Sequence, residues 1–183
     1  MVGAVLRMNM RVFGLAGWSG SGKTSLVTRL IPALLDRGVG VSTIKHAHHA
    51  FDVDQPGKDS YQHREAGASE VLISSANRMA LMRELRGAPE PTLPELLKRL
   101  TPVDLVLVEG FKRHPVPKLE VHRPSVGNPP LWPEQPEIVA VASDEALAEC
   151  PKPVVALSDI GSILDIVLAH AVPADQVAEA DGA

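Results

Sequence analysis

Residues 17–24 constrain the fold of this chain more than any other segment. Their sequence, GWSGSGKT, separates two glycines by four residues and ends in a Lys-Thr pair. An apolar run at residues 10–16 precedes the segment and a helical pattern at 25–37 follows it, which predicts a position between a strand and a helix. In that setting backbone N–H groups and the positive end of the helix dipole surround an anion. The sequence therefore predicts a loop that binds the phosphates of a nucleotide.

The side chains of this loop have separate expected roles. Lys23 reaches the outer phosphates, which makes it a catalytic as well as a binding residue, and Thr24 holds Mg²⁺ through its hydroxyl. The predicted nucleotide-binding residues of the loop are Gly17, Trp18, Ser19, Gly20, Ser21, Gly22, Lys23, Thr24 and Ser25.

Apolar runs of strand length alternate with helical patterns along the chain, which predicts an α/β domain with a mostly parallel central sheet and flanking helices. Around the turn Ser75-Ala76-Asn77 two short strands predict a β-hairpin extension. We expect one nucleotide-binding domain at residues 1–172 and a flexible acidic tail at 173–183. Other strands are expected at residues 40–45, 118–122, 137–142 and 153–157, and other helices at 61–66 and 160–171.

The segment DLVLVEG contains two acids that are candidates for completing a metal site, Asp104 and Glu109. They are separated by roughly 16 Å at 3.3 Å per residue, so only one of them lies near the phosphate loop. Ligands of such sheets bind at the carboxyl ends of the strands, which favours Glu109 as a metal-binding and catalytic residue. Asp104 is expected to be a solvated residue at the opposite edge.

A polar loop at residues 46–60 carries His46, His48 and His49 before Asp52 and Asp54. Three interpretations remain open. Some of these side chains cap the backbone and the rest are solvated, or they contact nucleotide or Mg²⁺, or they bind a transition metal. Asp54 is our metal-ligand candidate here. The candidates for a second anion site are His46, His48, His49, Lys58, Arg64, Lys112 and Arg113.

Composition excludes several classes of partner. Lys and Arg number 18 against 22 Asp and Glu, giving a net charge of -4, and aromatic residues make up 3%. This balance argues against nucleic-acid binding. The sequence contains no apolar run of about 18 residues, so it predicts no membrane span. The single Cys150 is expected to be a small apolar residue in a reducing compartment, so we expect a cytoplasmic protein.

Four stretches in this order resemble the MobB family, the molybdopterin-guanine dinucleotide biosynthesis adapter proteins. They are GWSGSGKTSLVTRLIPAL, IKHAHHAFDVDQPGKDSYQHREAGA, the ALM of the hairpin and DLVLVEGFK. The resemblance covers residues 11–113 and continues through IVAVASD. The long histidine segment is more specific than the phosphate loop, which many unrelated enzymes share.

The resemblance implies a P-loop NTPase fold, GTP binding with Mg²⁺, weak GTP hydrolysis and a homodimer joined around residues 75–81. It also implies partnership with the guanylyltransferase that attaches GMP to molybdopterin, with molybdopterin or its guanine dinucleotide as a further ligand. Guanine-specific relatives of this fold carry Asn/Thr-Lys-x-Asp, whereas Val141-Ala142-Ser143-Asp144 has the Asp without the Lys. Asp144 is still expected to accept hydrogen bonds from guanine.

Two other functions fit the same phosphate loop. A small-metabolite kinase would use Asp52 or Asp54 as its base and Arg64 or Lys112 to clamp the acceptor. A metal-delivery chaperone would carry a divalent ion on the three histidines and release it on GTP hydrolysis. For the favoured adapter, we expect turnover of about 10⁻⁴ to 10⁻² per second, as in an unassisted GTPase.

Overall fold

The computed structural model describes residues 10–47, 51–111 and 114–178. In chain order its elements are β1 (Arg11–Ala16), α1 (Lys23–Asp36), β2 (Val41–Lys45), α2 (Asp59–Glu65), β3 (Glu70–Ser74), β4 (Met79–Arg83), α3 (Leu93–Leu97), β5 (Leu105–Glu109), β6 (Lys118–His122), β7 (Ile138–Ser143), β8 (Val154–Ala156), α4 (Ile160–His170) and β9 (Val172–Pro173). The described residues divide into two compact units, those of Met1–His46 with Thr92–Ala183 and those of Ala47–Pro91. The first unit holds the phosphate loop, and the second holds the hairpin.

The first unit is built on a central sheet with the strand order β2-β5-β1-β6-β7-β8. Neighbouring strands along this path are parallel, and β9 pairs antiparallel with β1. The inner strands are nearly continuous apolar runs, because parallel sheets are covered on both faces. The predicted α/β class with a mostly parallel sheet is confirmed.

Helices α1 and α4 cover one face of this sheet. Leu26, Leu30 and Leu34 recur every four residues on α1, so one face of the helix is buried, and Ile163 and Val167 of α4 pack into the same cluster. Pro32 lies inside α1. A smaller cluster on α3 and the neighbouring strands contains Leu93, Leu97, Val106 and Val108. The loops at the strand ends therefore extend from a sheet that is packed by buried apolar side chains.

The second unit contains α2 and the antiparallel hairpin β3–β4, in which Leu72 pairs with Leu81 and Ser74 with Met79. The predicted hairpin around residues 75–77 is confirmed. The predicted helix at 61–66 is also present, beginning two residues earlier at Asp59. Val71 is buried, whereas Leu72, Met79 and Leu81 are exposed.

The carboxyl-terminal segment differs from the predicted flexible tail. Val172 and Pro173 pair with Val12 and Arg11 on β1, and Val177 is buried against the α3 cluster. The expectation for 173–178 was therefore wrong, because two residues of pairing and one apolar contact hold this stretch on the sheet. Residues 179–183 lie outside the described residues. Within the described part of the chain, no helix is both long and apolar enough to cross a membrane.

Candidate nucleotide-binding site

The phosphate loop lies between β1 and α1, as predicted, and two of its glycines are required by geometry. Gly17 has φ of 138°, and a Cβ there would lie 2.5 Å from the Val121 carbonyl oxygen. Gly22 has φ of 98° and caps the amino end of α1. Any other residue would strain both positions. The loop therefore turns close against β6 and leads directly into the helix.

Lys23 folds over the loop that precedes it. Its Nζ donates to the carbonyl oxygens of Gly17 and Trp18, each at 2.8 Å. Ser21 is 2% exposed, and its Oγ has no hydrogen-bond partner among the described residues. The ammonium group and a buried hydroxyl thus belong to the same short turn, where a phosphate would meet both positive charge and donors.

Thr24 and Glu109 line one small cavity of about 110 Å³ together with Lys45 and Thr43. Glu109 ends β5, and the strand register places it between Leu15 of β1 and Lys45 of β2. A hydroxyl and a carboxylate are oxygen donors of the kind that Mg²⁺ prefers. The residues present therefore fit the implied metal, with Thr24 and Glu109 as the side chains that would hold it.

Asp104 lies at the other end of β5, as predicted, but it is not simply solvated. Its Oδ2 accepts from the Gly40 backbone N–H at 2.7 Å, and its carbonyl accepts from Arg11 N–H at 3.0 Å. Because it ties together the starts of β1, β2 and β5, its role is structural and remote from the phosphate loop.

Asp144 follows β7 and lines a second cavity of about 260 Å³ with Arg29, Arg123 and Ser158. The side chains of Asp144 and Arg123 are 40% and 38% exposed, and Arg123 Nε lies 3.5 Å from Asp144 Oδ2. The Arg123 guanidinium also lies 3.5–3.6 Å from the position of a Cβ on Gly22. Arg123 therefore lies near both the phosphate loop and Asp144.

A proline-rich segment at residues 124–136 contacts the phosphate loop and is anchored by a buried acid. The indole N–H of Trp18 donates to the Pro129 carbonyl at 2.7 Å. Glu120, which is 0% exposed, accepts from the backbone N–H groups of Leu131 and Trp132 at 2.8 and 3.0 Å. Burial raises the pKa of Glu120, which these hydrogen bonds partly oppose. Trp18 is thus positioned by a segment fixed to β6.

Arg64, a candidate for the second anion site, is surrounded by carboxylates within the second unit. Its guanidinium lies 2.6 Å from Asp52, 3.2 Å from Glu84 and 4.0 Å from Asp54. A hydrogen bond from the Asp54 backbone N–H, and then Arg64, lower the pKa of Asp52. Asp54 Oδ1 also accepts from Ser60 Oγ at 2.8 Å. The two terminal nitrogens of Arg64 are therefore paired with carboxylates of its own unit, and a metal role for Asp54 stays a prediction.

The other candidates of the histidine loop are placed only in part. His46 follows β2, donates its backbone N–H to Glu109 O at 2.8 Å, and stacks at a tilt on Phe111. Lys58 is exposed at the start of α2. The remaining candidates, which lie outside the described residues, are His48, His49, Lys112 and Arg113. The described residues contain no group of three or more His, Cys, Asp or Glu suited to a metal ion.

Arg123, which lies beside Asp144, was not among our predicted site residues. It directly follows the parallel strand β6, and residues at such positions meet at one edge of a sheet. That signal alone would have indicated it. Its partner Asp144, however, follows a different strand and is not adjacent in sequence.

Comparisons with known proteins agree with this architecture. A family model described as MobB, molybdopterin guanine dinucleotide synthesis protein B, matches residues 12–144. The molybdopterin-guanine dinucleotide biosynthesis adapter protein of Haemophilus influenzae is 39% identical over 172 residues, covering 91% of this chain and 94% of that protein. The protein of the same name from Escherichia coli is 41% identical over 157 residues, with 84% and 89% covered.

Solved structures show the same fold. A crystal structure of molybdopterin-guanine biosynthesis protein B matches with a TM-score of 0.68 at 26% identity, over 86% of this chain and 98% of that one. Bacillus subtilis MobB matches in fold with a TM-score of 0.68 at 23% identity, over 88% and 98%. The chain belongs to the MobB family of molybdopterin-guanine dinucleotide biosynthesis adapter proteins, and its fold is that of a P-loop NTPase.

Proposed function

We propose that this chain binds GTP with Mg²⁺ and, as a cytoplasmic homodimer, assists the guanylyltransferase that attaches GMP to molybdopterin. The observation that carries the proposal is the meeting of Lys23, Thr24 and Glu109 at one edge of the sheet. Lys23 and Thr24 begin α1, and Glu109 lines the cavity that Thr24 also lines. The family membership supports the place of this site in molybdenum cofactor synthesis.

Each residue has a defined task in this proposal. Lys23 binds the outer phosphate oxygens by exchanging its bonds to the Gly17 and Trp18 carbonyls for bonds to the nucleotide. The loop N–H groups and the amino end of α1 hold the remaining phosphate charge. Thr24 and Glu109 would hold Mg²⁺, which neutralises charge on the phosphates. Asp144 accepts hydrogen bonds from the guanine base.

The test is calorimetric titration of the Mg²⁺-loaded protein with GTP, GDP and ATP. We expect GTP to bind at least about tenfold tighter than ATP, or about 1.4 kcal/mol, and Lys23→Ala to abolish binding. Lys152→Ala, which removes a lysine at the amino end of β8, serves as the matched control and retains binding. If ATP binds as tightly as GTP, the proposal fails and the small-metabolite kinase becomes the better hypothesis.

We expect hydrolysis to be slow because no second protein supplies catalytic residues to this site when the purified chain is assayed alone. Phosphate release by the purified protein should lie at about 10⁻⁴ to 10⁻² per second. Adding the protein to the guanylyltransferase should raise the yield of guanine dinucleotide, and Lys23→Ala should remove that gain. Hydrolysis at tens per second by the protein alone contradicts the adapter role.

The homodimer of this proposal forms through the hairpin. Leu72, Met79 and Leu81 are 61%, 69% and 53% exposed, and Leu72 pairs with Leu81 across β3 and β4. An apolar strip of this kind on a two-stranded ribbon is stabilised when a second copy covers it. The resemblance of residues 75–81 to the joining region of the family favours a second copy of this chain as that partner.

A further inference from the structure

The base end of the proposed GTP site lacks the lysine usual in guanine-binding loops. Val141 and Ala142 stand at the Asn/Thr and Lys positions before Asp144. Both are 0% exposed within the sheet, and neither side chain has a polar atom. The segment after β7 therefore supplies a carboxylate without the cation that normally accompanies it.

Arg123 lies where such a cation is needed, although it belongs to a different strand. β6 is situated between β1, which leads into the phosphate loop, and β7, which leads to Asp144. The register pairs His122 with Ser143, so the residues that follow, Arg123 and Asp144, emerge side by side. The neighbouring strand thus brings a guanidinium to both Asp144 and Gly22.

We propose that Arg123 replaces the missing lysine and, with Asp144, selects the guanine base. This inference rests on the proposed GTP-binding function. The Arg123 guanidinium, whose Nε lies 3.5 Å from Asp144 Oδ2, holds this carboxylate in place at the base end of the cavity. Arg29 and Ser158 complete the cavity in which the base would lie.

The chemistry of the base explains why this pair would prefer guanine. An ionised Asp144 accepts from the N1–H and the 2-amino group of guanine, which lie next to each other. Adenine presents an unprotonated N1 at the same place, so a carboxylate there meets a lone pair and not a donor. A site built to pair with donors rejects a base that lacks them, because the bound base covers the carboxylate without giving it a hydrogen bond.

The experiment measures binding of GTP, ATP and xanthosine triphosphate by calorimetry to the full chain and four variants. Arg123→Met removes the charge at similar size, and Arg123→Lys restores a cation. Arg37→Met is the matched control, because Arg37 forms an exposed ion pair with Asp165 away from this cavity. Asp144→Asn replaces an acceptor with a donor, which complements the 2-oxo group of xanthine. Circular dichroism verifies that each variant is folded.

We expect Arg123→Met to weaken GTP binding about tenfold to a hundredfold while leaving ATP binding nearly unchanged, as the loss of a charge-assisted contact predicts. Arg123→Lys should recover most of the loss, Arg37→Met should match the unmodified chain, and Asp144→Asn should prefer xanthosine triphosphate. An equal loss for GTP and ATP, or GTP selectivity that survives Arg123→Met, overturns this inference alone. Absence of GTP binding by the unmodified chain overturns the proposed function and this inference with it.

Discussion

The two compact units differ in how far their apolar side chains are buried. In the first unit Leu30 and Leu119 are 0% exposed, because α1 and α4 cover the sheet that carries them. In the second unit the hairpin leaves Leu72, Met79 and Leu81 more than half exposed. The first unit therefore gains its stability from its own packing. The hairpin presents apolar area that only another surface can bury.

The largest expected effect is on the packed unit. Leu30→Ala should lower the free energy of unfolding by about 2–5 kcal/mol, because it removes buried methyl groups and leaves a cavity. Leu81→Ala should change the unfolding of the separated monomer by about 0.5 kcal/mol or less. Urea denaturation at low protein concentration measures both. Equal losses of unfolding free energy at Leu30 and Leu81 would contradict the difference in packing between the two units.

The next effect concerns association through the hairpin. Leu81→Lys should raise the dissociation constant of the proposed homodimer at least about tenfold, because a charge cannot be buried there unpaired. Leu35→Lys is the matched control, since Leu35 on α1 is 55% exposed and Leu81 is 53% exposed. Sedimentation velocity over a range of concentrations distinguishes the two variants. If Leu35→Lys dissociates the dimer and Leu81→Lys does not, the hairpin is not the interface.

The phosphate loop was predictable from sequence because its geometry demands particular residues at fixed spacing. Gly17 and Gly22 adopt backbone angles that favour glycine, and Lys23 and Thr24 follow at once. Glu109 was predictable for a different reason, since the end of a buried parallel strand faces the ligand edge. Both signals are contained within short stretches of chain.

The base end of the proposed site was only partly predictable. Asp144 was expected from its place after a late strand, whereas the contact of Arg123 with it depends on the register between β6 and β7. No local pattern reports that register. The predicted tail was wrong for a related reason, because two residues at Val172 and Pro173 are too few to produce a strand pattern. Both the Arg123–Asp144 contact and the position of the carboxyl-terminal segment depend on pairing between strands that are far apart in sequence.

Acidic residues of the two units should respond to pH with opposite sign. Burial raises the folded-state pKa of Glu120 above its ordinary value near 4.5, so its contribution to stability is greatest below that value. This contribution is lost as the pH rises through the raised pKa. The folded-state pKa of Asp52 is lowered, so its contribution is present above its ordinary value of 3.8 and is lost as the pH falls through the lowered pKa.

Urea denaturation across pH 3 to 8 checks both signs against uncharged variants. Relative to Glu120→Gln, the unmodified chain should lose stability as the pH rises from about 4.5. Relative to Asp52→Asn, it should gain stability as the pH rises toward 3.8. The stability difference between the unmodified chain and each variant is followed against pH. If this difference changes in the same direction for Glu120→Gln and for Asp52→Asn, the assigned causes, burial for Glu120 and hydrogen bonding for Asp52, are contradicted.

The smallest expected effect compares how a short helix begins in each unit. On α3 the Thr92 hydroxyl accepts from Glu95 N–H, and the Glu95 carboxylate accepts from Thr92 N–H at 2.9 Å, which is a complete capping box. Lys58 caps α2 without a side-chain hydrogen bond.

Thr92→Ala should therefore cost about 1 kcal/mol of unfolding free energy, whereas Thr92→Ser should cost little. Lys58→Ala should cost nothing through capping, and thermal unfolding monitored by circular dichroism measures all three variants. A loss for Lys58→Ala as large as that for Thr92→Ala would mean that side-chain capping does not distinguish the two helices.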